Sequence, residues 1–344
     1  MNRSIFDDEL LETTENYGFV PHLKNIPRQR KTAKQRAARA RIVLPPVEEA
    51  VAGLQDEKLE MSYKASRYEQ GWLIQSLETF FNQKWFDDVL RMVKGGKEAS
   101  VYLCQGNATS GQDYLAAKVY RPRQFRNLRN DFLYRDGREN IDSSGNAITN
   151  KGMRHAIRKR TDYGRELMHT SWLAHEFQTM QALKAAGADV PTPFACDSNT
   201  ILMGYYGDDV MGAPTLNEVS LPRSEAQVLF ERTVHNIELM LSNGRIHGDL
   251  SAYNILYWEG QIALIDFPQA IVPEENRSAY QIFERDVRRV CDYFQRQGVP
   301  SNPHKLAEQL WSKYQQRFVP LIDPKALDED RDDERDIWDS LKNA

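Results

Sequence analysis

The chain has 344 residues, of which 41% are hydrophobic and 27% charged, a globular balance at a length that suits about two lobes or domains plus tails. It holds no apolar run near the roughly 18 residues a membrane helix needs, and Asp7, Asp8 and Glu9 stand where a leader would carry its apolar stretch, so neither membrane insertion nor export is expected. Forty-five basic residues against 49 acidic ones give a net charge of −4, which excludes a global pull toward nucleic acid and leaves any such contact to local patches.

Charge is segregated along the chain. No residue between Glu15 and Glu48 is acidic, and that stretch carries Lys24, Arg28, Arg30, Lys31, Lys34, Arg36, Arg39 and Arg41 before Pro45-Pro46 breaks it. Residues 1–60 therefore read as a basic, disordered arm, either simply solvated or ordered by phosphate contacts with RNA; no aromatic lies within Arg28 to Arg41, so base stacking is not indicated. Residues 323–344 read as an acidic tail around Asp328 to Asp336. Cys104, Cys196 and Cys291 are far apart and form no Cys-x-x-Cys pair, which argues against a disulfide framework or zinc site and suits a reducing, cytoplasmic setting.

Between the tails the pattern mixes α and β. Leu73, Leu77, Phe80, Phe81 and Trp85 recur at three and four, predicting an amphipathic helix over about Gln70 to Leu90 that covers a sheet. Val101 to Cys104 and Tyr114 to Tyr120 read as a hairpin around the turn residues Gly106 to Gly111. A helix follows from Ser171, with Leu173, Phe177, Met180 and Leu183 on one stripe and Gly187 as its stop. Thr200 to Met203 reads as a strand, and Phe230, Val234, Ile237 and Leu241 as a buried helix ended by Gly244. Two short strands, Ile255 to Trp258 and Gln261 to Ile265, complete the pattern.

The chemistry concentrates in Ile246-His-Gly-Asp-Leu-Ser-Ala-Tyr-Asn254, where Asn254 follows Asp249 by five residues, and in Leu264-Ile-Asp266 beyond it. Phosphoryl transfer needs an Asp to orient or deprotonate the attacking hydroxyl, and a nearby Asn and second Asp to hold Mg²⁺ against the triphosphate. Asp249, Asn254 and Asp266 supply that set, and hard oxygen ligands suit Mg²⁺. Lys94-Gly-Gly-Lys-Glu-Ala-Ser-Val-Tyr102 places two glycines between a helix and a strand, where backbone can approach a nucleotide closely. Lys118 is centred in the apolar strand Ala116-Ala-Lys-Val-Tyr120, a costly place for an ammonium that meets no anion, and Glu176 among Leu173, Phe177 and Met180 is its natural partner.

These residues together resemble the atypical serine/threonine protein kinases of the RIO family, in the branch without an N-terminal winged helix. The resemblance runs from about Tyr63 to Tyr293 through Gly96-Lys-Glu-Ala99, Val101-Tyr102, Lys118, Glu176, Met203-Gly-Tyr-Tyr-Gly207 with Asp208-Asp209, Asp249-Leu-Ser251 with Asn254, and Ile265-Asp266. It implies an α+β, two-lobed kinase-like fold over residues 61–322. A small sheet-containing lobe (61–197) would precede a mainly helical one (202–322), with the usual activation segment and substrate lobe missing. It also implies ATP and Mg²⁺ as cofactors, Mn²⁺ being the alternative ion. Asp249 would be the catalytic Asp and Asn254 and Asp266 the metal ligands. Lys118, paired with Glu176, would sit on the α and β phosphates, with Gly96 and Lys97 in the phosphate loop. Met203, Tyr205 and Tyr206 would form the adenine hinge. The family further suggests Asp266 itself as a phosphoryl acceptor, which would make the protein an ATPase-like switch, and a role in maturation of the small ribosomal subunit.

The chain departs from the family pattern at Lys94, where a hydroxyl is usual, and at Phe267-Pro-Gln-Ala270. Between Lys118 and Glu176 the family has an inserted stretch; here about residues 121–165 are strongly basic, through Arg121, Arg123, Arg126, Arg129, Arg135, Arg138, Lys151, Arg154, Arg158, Lys159 and Arg160. Solvation and phosphate contact, with RNA or a pre-ribosomal partner, explain that charge equally. Two other functions fit some of the residues. The His-Gly-Asp with its Asn also resembles aminoglycoside and choline phosphotransferases, which the Gly-Lys-Glu-Ala loop and basic insert oppose. A nucleotide-gated, RNA-binding assembly factor would turn over slowly. His155, His169 and His175 match no metal spacing. His247 is expected to order the catalytic loop, and Trp172, Phe177, Met180 and Cys104 to fill the core.

Overall fold

A computed structural model describes residues 59–96, 98–121, 140–142, 145–197 and 199–318. The basic arm before Leu59, Lys97, most of the first half of the insert and the acidic tail lie outside the described residues.

Helix α1 (Arg67–Asn82) begins at a capping box in which Ser66 and Glu69 each satisfy the other's backbone N–H. Its Leu73, Leu77 and Phe80 are buried against Tyr102, Cys104, Leu115, Ala117 and Leu202 of a sheet, so the predicted helix does cover one face. It stops earlier than Leu90: Lys84 takes a left-handed turn (φ 59°), and β1 (Phe86–Gly95) follows. The phosphate loop therefore joins two strands, β1 and β2 (Ala99–Gly106), and not a helix and a strand.

The remaining strands of the small lobe are β3 (Tyr114–Tyr120), β4 (Pro193–Asp197) and β5 (Thr200–Gly204), in the antiparallel order β1-β2-β3-β5-β4. Because β5 pairs with β3, the helical lobe begins after Gly204, and the expected start at Leu202 would cut a strand in half. Register puts Lys94, Val101, Lys118 and Ile201 in one row, and Arg91, Leu103, Ala116 and Met203 in another, both on the face opposite α1.

Two helices connect β3 to β4. The short α2 (Lys151–Lys159) buries no residue and, with Arg160 that caps its end, presents Lys151, Arg154, Arg158 and Lys159 to solvent. It packs on α3 (Asp162–Ala185), where a side-chain carbon at Gly164 would lie 2.0 Å from the Ala156 carbonyl oxygen, so only glycine allows the approach. Helix α3 starts nine residues before Ser171, because its first turns rest on α2 and not on the apolar core. Trp172, near its middle, and Phe177 and Met180 beyond it are buried.

The helical lobe comprises α4 (Arg223–Ser242), the hairpin β6 (Ile255–Trp258) and β7 (Gln261–Leu264), α5 (Ala279–Arg296) and α6 (Pro303–Phe318). Its core joins Leu229, Ile237 and Met240 of α4 to Phe283, Val287 and Phe294 of α5. Residues 267–278, including one short turn at Pro273–Glu275, lead straight from Asp266 to α5, without room for a long activation segment. The result is an α+β, two-lobed kinase-like fold, and no described helix is long and apolar enough to cross a membrane.

Candidate active site

The small lobe contributes a buried charge cluster. The Lys118 ammonium lies 2.7 Å from Glu176 Oε1 and 2.6 Å from Asp266 Oδ1, so one cation ties α3 to the helical lobe. Glu176 is 1% exposed, and its second oxygen accepts a hydrogen bond from the Tyr120 hydroxyl. Burial works against the Lys118 ammonium, but the two carboxylates outweigh it and hold its pKa well above the ordinary value. Burial and the Glu176 carboxylate push the Tyr120 phenol well up, which keeps it a donor. Desolvation would raise the Asp266 carboxyl, yet the Lys118 ammonium beside it holds it below the usual carboxylate range.

Asp266 has a left-handed backbone (φ 71°), a conformation Asp tolerates better than most residues. Around it, Ile265 N–H donates to the Asn254 carbonyl at 3.0 Å, and Phe267 is buried against the His247 ring at 4.8 Å between centroids. His247 is 1% exposed. Its Nδ1 accepts from the Asp249 N–H at 3.3 Å, which leaves Nε2 as the donor to the Ile265 carbonyl at 3.1 Å. The imidazole thus ties the loop carrying Asp249 to Ile265 beside Asp266, the ordering role expected of it.

Asp249 is held through both oxygens. Arg289 Nη1 donates to Oδ1 at 2.9 Å, and Asn254 Nδ2 donates to Oδ2 at 3.2 Å and to the Asp249 carbonyl at 2.8 Å. With its nitrogen spent in this way, Asn254 offers its amide oxygen to a cation. Behind the loop, Asp286 Oδ2 accepts the Gly248 N–H at 2.8 Å, and Arg285 pairs with Asp286 Oδ1 at 3.1 Å while donating to the Gly248 carbonyl. Burial raises the Asp286 carboxyl, against the lowering pull of Arg285, His247 and the Gly248 N–H.

Gly96 turns the phosphate loop by donating its N–H to the Ala99 carbonyl at 2.9 Å; an added side-chain carbon would lie 2.7 Å from that oxygen. Lys97 lies outside the described residues. Met203 is buried in β5, on the Lys118 face of the sheet. The Tyr205 hydroxyl accepts from Arg91 at 2.9 Å and donates to the Asp208 carbonyl at 3.1 Å, and the Tyr206 carbonyl accepts from Ala213 N–H at 2.9 Å. Lys118 and Glu176 thus meet Asp266 directly, and Asp266 is linked to Asn254 and Asp249 through the Ile265–Asn254 and Asn254–Asp249 hydrogen bonds.

Sequence reasoning passed over Tyr120, Arg285, Asp286 and Arg289. Asp286 carried a readable signal, an acid inside the apolar stripe Ile282, Phe283, Val287 and Val290, of the same kind that marked Glu176.

Several known proteins are similar to this chain. The chain is 29% identical over 220 residues to the RIO-type serine/threonine-protein kinase Rio1 of Haloferax volcanii, covering 63% of this chain and 66% of that protein. It is 27% identical over 208 residues to the human serine/threonine-protein kinase RIO1, covering 60% of this chain and 33% of that protein. The chain thus spans from a third to just under two thirds of the length of these two curated relatives. Among solved structures it is similar to a Rio2 kinase–ADP/Mg²⁺–phosphoaspartate complex from Chaetomium thermophilum, with a TM-score of 0.48 and 20% identity over 81% of this chain and 79% of that one. The RIO domain model matches residues 100–306, a span that reaches from β2 through α5 into α6 and takes in Lys118, Glu176, Asp249, Asn254 and Asp266, and by that match over more than half its length the chain belongs to the RIO family.

Proposed function

We propose that the protein is an ATP- and Mg²⁺-dependent phosphotransferase of the RIO type, moving the γ-phosphoryl group to a Ser or Thr hydroxyl or to Asp266. The observation that carries this reading is the Lys118 ammonium bridging Glu176 and Asp266 at 2.7 and 2.6 Å. A buried lysine with two carboxylates is placed to exchange one of them for phosphate oxygens. The donor set fits a hard cation: the Asn254 amide oxygen and the Asp266 carboxylate would hold Mg²⁺, or Mn²⁺ in its place, with phosphate oxygens and water completing the shell. Such an ion would neutralise charge on the β and γ phosphates.

The chain's own residues do the rest. Lys118, kept cationic by Glu176, would hold the α and β phosphates, and the Gly96 turn would let backbone approach them. Asp249 orients the acceptor hydroxyl and takes its proton as oxygen bonds to the γ phosphorus and the bridge to the β phosphate breaks, ADP leaving. When Asp266 is the acceptor its carboxylate oxygen forms that bond and no proton moves. Positioning and electrostatics supply most of the rate.

The test is label transfer from γ-labelled ATP with Mg²⁺ to the purified protein, wild type beside Asp249→Asn, followed by alkali treatment and residue analysis. Alkali-labile label without phosphoserine, absent from the variant, identifies an acyl phosphate and the switch-like activity. A hydroxyl ester identifies a conventional protein kinase. No label and no ATP turnover by the wild type refutes the proposal.

Contact with RNA or a pre-ribosomal particle forms a second part of the proposal, supported by the exposed Lys151, Arg154, Arg158 and Lys159 of α2 and Arg160 at its C-terminal end. A steep fall of RNA binding with salt, flattened by replacing these residues with Gln, is the expected result; a salt slope unchanged in that variant refutes it. The three cysteines, free in this fold, suit a cytoplasmic site of action.

A further inference from the structure

Helix α5 grips the loop that carries Asp249 at two points, one buried and one open to solvent. Arg285 and Asp286 together satisfy the Gly248 backbone, which is buried and needs partners. One turn along, Arg289 donates a single bond to Asp249 Oδ1. Both side chains of that pair are about one-third exposed or more, at 35% and 40%, where an ion pair contributes little to stability. The guanidinium has no other partner among the described residues, and its remaining donors are not buried.

An arginine spending one of five donors is underused unless a second anion arrives. Asp249 must come within about 3 Å of the acceptor hydroxyl. Arg289, on the same carboxylate, then stands about one side chain away from that hydroxyl, and its planar fork suits carboxylate or phosphate oxygens.

We propose that Arg289 is a specificity residue that anchors an anionic side chain adjacent to the acceptor Ser or Thr, so that the preferred protein substrate is acidic around its phosphorylation site. This rests on the phosphotransferase reading above, with Asp249 at the acceptor.

The experiment uses the full chain with Mg-ATP and a set of peptides that differ only beside one Ser: Asp, phosphoserine or Asn. Wild type is expected to favour the Asp and phosphoserine peptides over the Asn peptide by about 10- to 100-fold in kcat/KM, the range of a charge-assisted hydrogen bond. Arg289→Gln is expected to bring that ratio close to one, and Arg289→Lys to restore part of it. Any effect of the substitution on Asp249 itself is common to all the peptides and cancels in the ratio. A ratio near one in the wild type overturns the proposal, as does a ratio that survives in Arg289→Gln, or self-labelling with no peptide phosphorylated. Failure of the parent reading looks different, because then the wild type neither labels itself nor turns over ATP. Favouring only the phosphoserine peptide narrows the anion to a phosphate ester; favouring both assigns the shared oxyanion chemistry.

Discussion

The two sides of the cleft hold their charges in opposite ways. The upper cluster, Lys118, Glu176 and Tyr120, is buried and saturated, so each member is part of the small lobe's interior. The lower pair, Asp249 and Arg289, is more than one-third open and rests on a loop fixed from behind by Asp286. A charge in the first place cannot be removed without stranding another; one in the second can. The contrast teaches that activity and stability should separate on the lower side and fall together on the upper.

The largest expected effect is on the lower side. Asp249→Asn should reduce label transfer by about 10²- to 10⁴-fold, the usual worth of a proton-handling group, while unfolding free energy changes by about 1 kcal/mol or less. Parallel assay and denaturant melts check it. Full folding loss in this variant would break the distinction between the two regions.

Next comes Glu176→Ala on the upper side. It removes the main counter-charge of Lys118 and the acceptor of Tyr120, and a broken buried pair costs about 3–5 kcal/mol. Melting should therefore move by several degrees, with activity lost as well. Glu176→Gln keeps an acceptor for the Tyr120 hydroxyl and should lie between Ala and wild type. Equal stability of all three proteins would show that the cluster is not structural.

How far this contrast could be read beforehand follows the same physics. The Lys118–Glu176 pair was legible because a charge inside an apolar pattern has to be explained, and Asp249, Asn254 and Asp266 stood out because the phosphoryl transfer proposed above asks for that order. Strand β1 was not legible, since register shifts at Phe86/Asp88, Val89/Arg91 and Met92/Lys94 break the alternation that marks a strand, and the apolar spacing of α1 ran on into it. The lobe boundary was misplaced for a topological reason: β5 follows β4 in sequence but lies inside it in the sheet, beside β3. Arg289 carried no pattern at all, because a one-third-exposed arginine on an amphipathic helix looks the same whether it meets water or the Asp249 carboxylate.

A sharper probe of the support beneath the lower side is Asp286→Leu. The Gly248 N–H would lose its acceptor in the interior and Arg285 the carboxylate of its ion pair, costing about 1–3 kcal/mol. The loop carrying Asp249 should then loosen, lowering kcat with little change in the KM for ATP, which kinetics on the folded fraction would show. A change confined to KM would place the support under the nucleotide and not under the loop.

The smallest effect concerns a fourth carboxylate, which joins the two regions. Asp189, just before β4, accepts both Nε and Nη2 of Arg232 at 2.5 and 2.6 Å and the Asn236 amide at 2.7 Å, while its carbonyl accepts the Leu264 N–H of β7 at 2.8 Å. Partial burial would raise this carboxyl, but the hydrogen bonds from Arg232 and Asn236 hold it below the usual range. With its folded pKa below the unfolded one, the native state binds this proton less readily. The stability it contributes is present above the unfolded value of about 3.9 and is lost as pH falls through the folded value. Arg232 is half-exposed, so the contribution should be about 1 kcal/mol or less at neutral pH. Wild type and Asp189→Asn should therefore differ in melting temperature at pH 7 and converge below pH 4. A gap that stays constant across that range would mean that Asp189 ties the lobes through its backbone and packing, and that its charge, like that of Asp249, can be removed without cost to the fold.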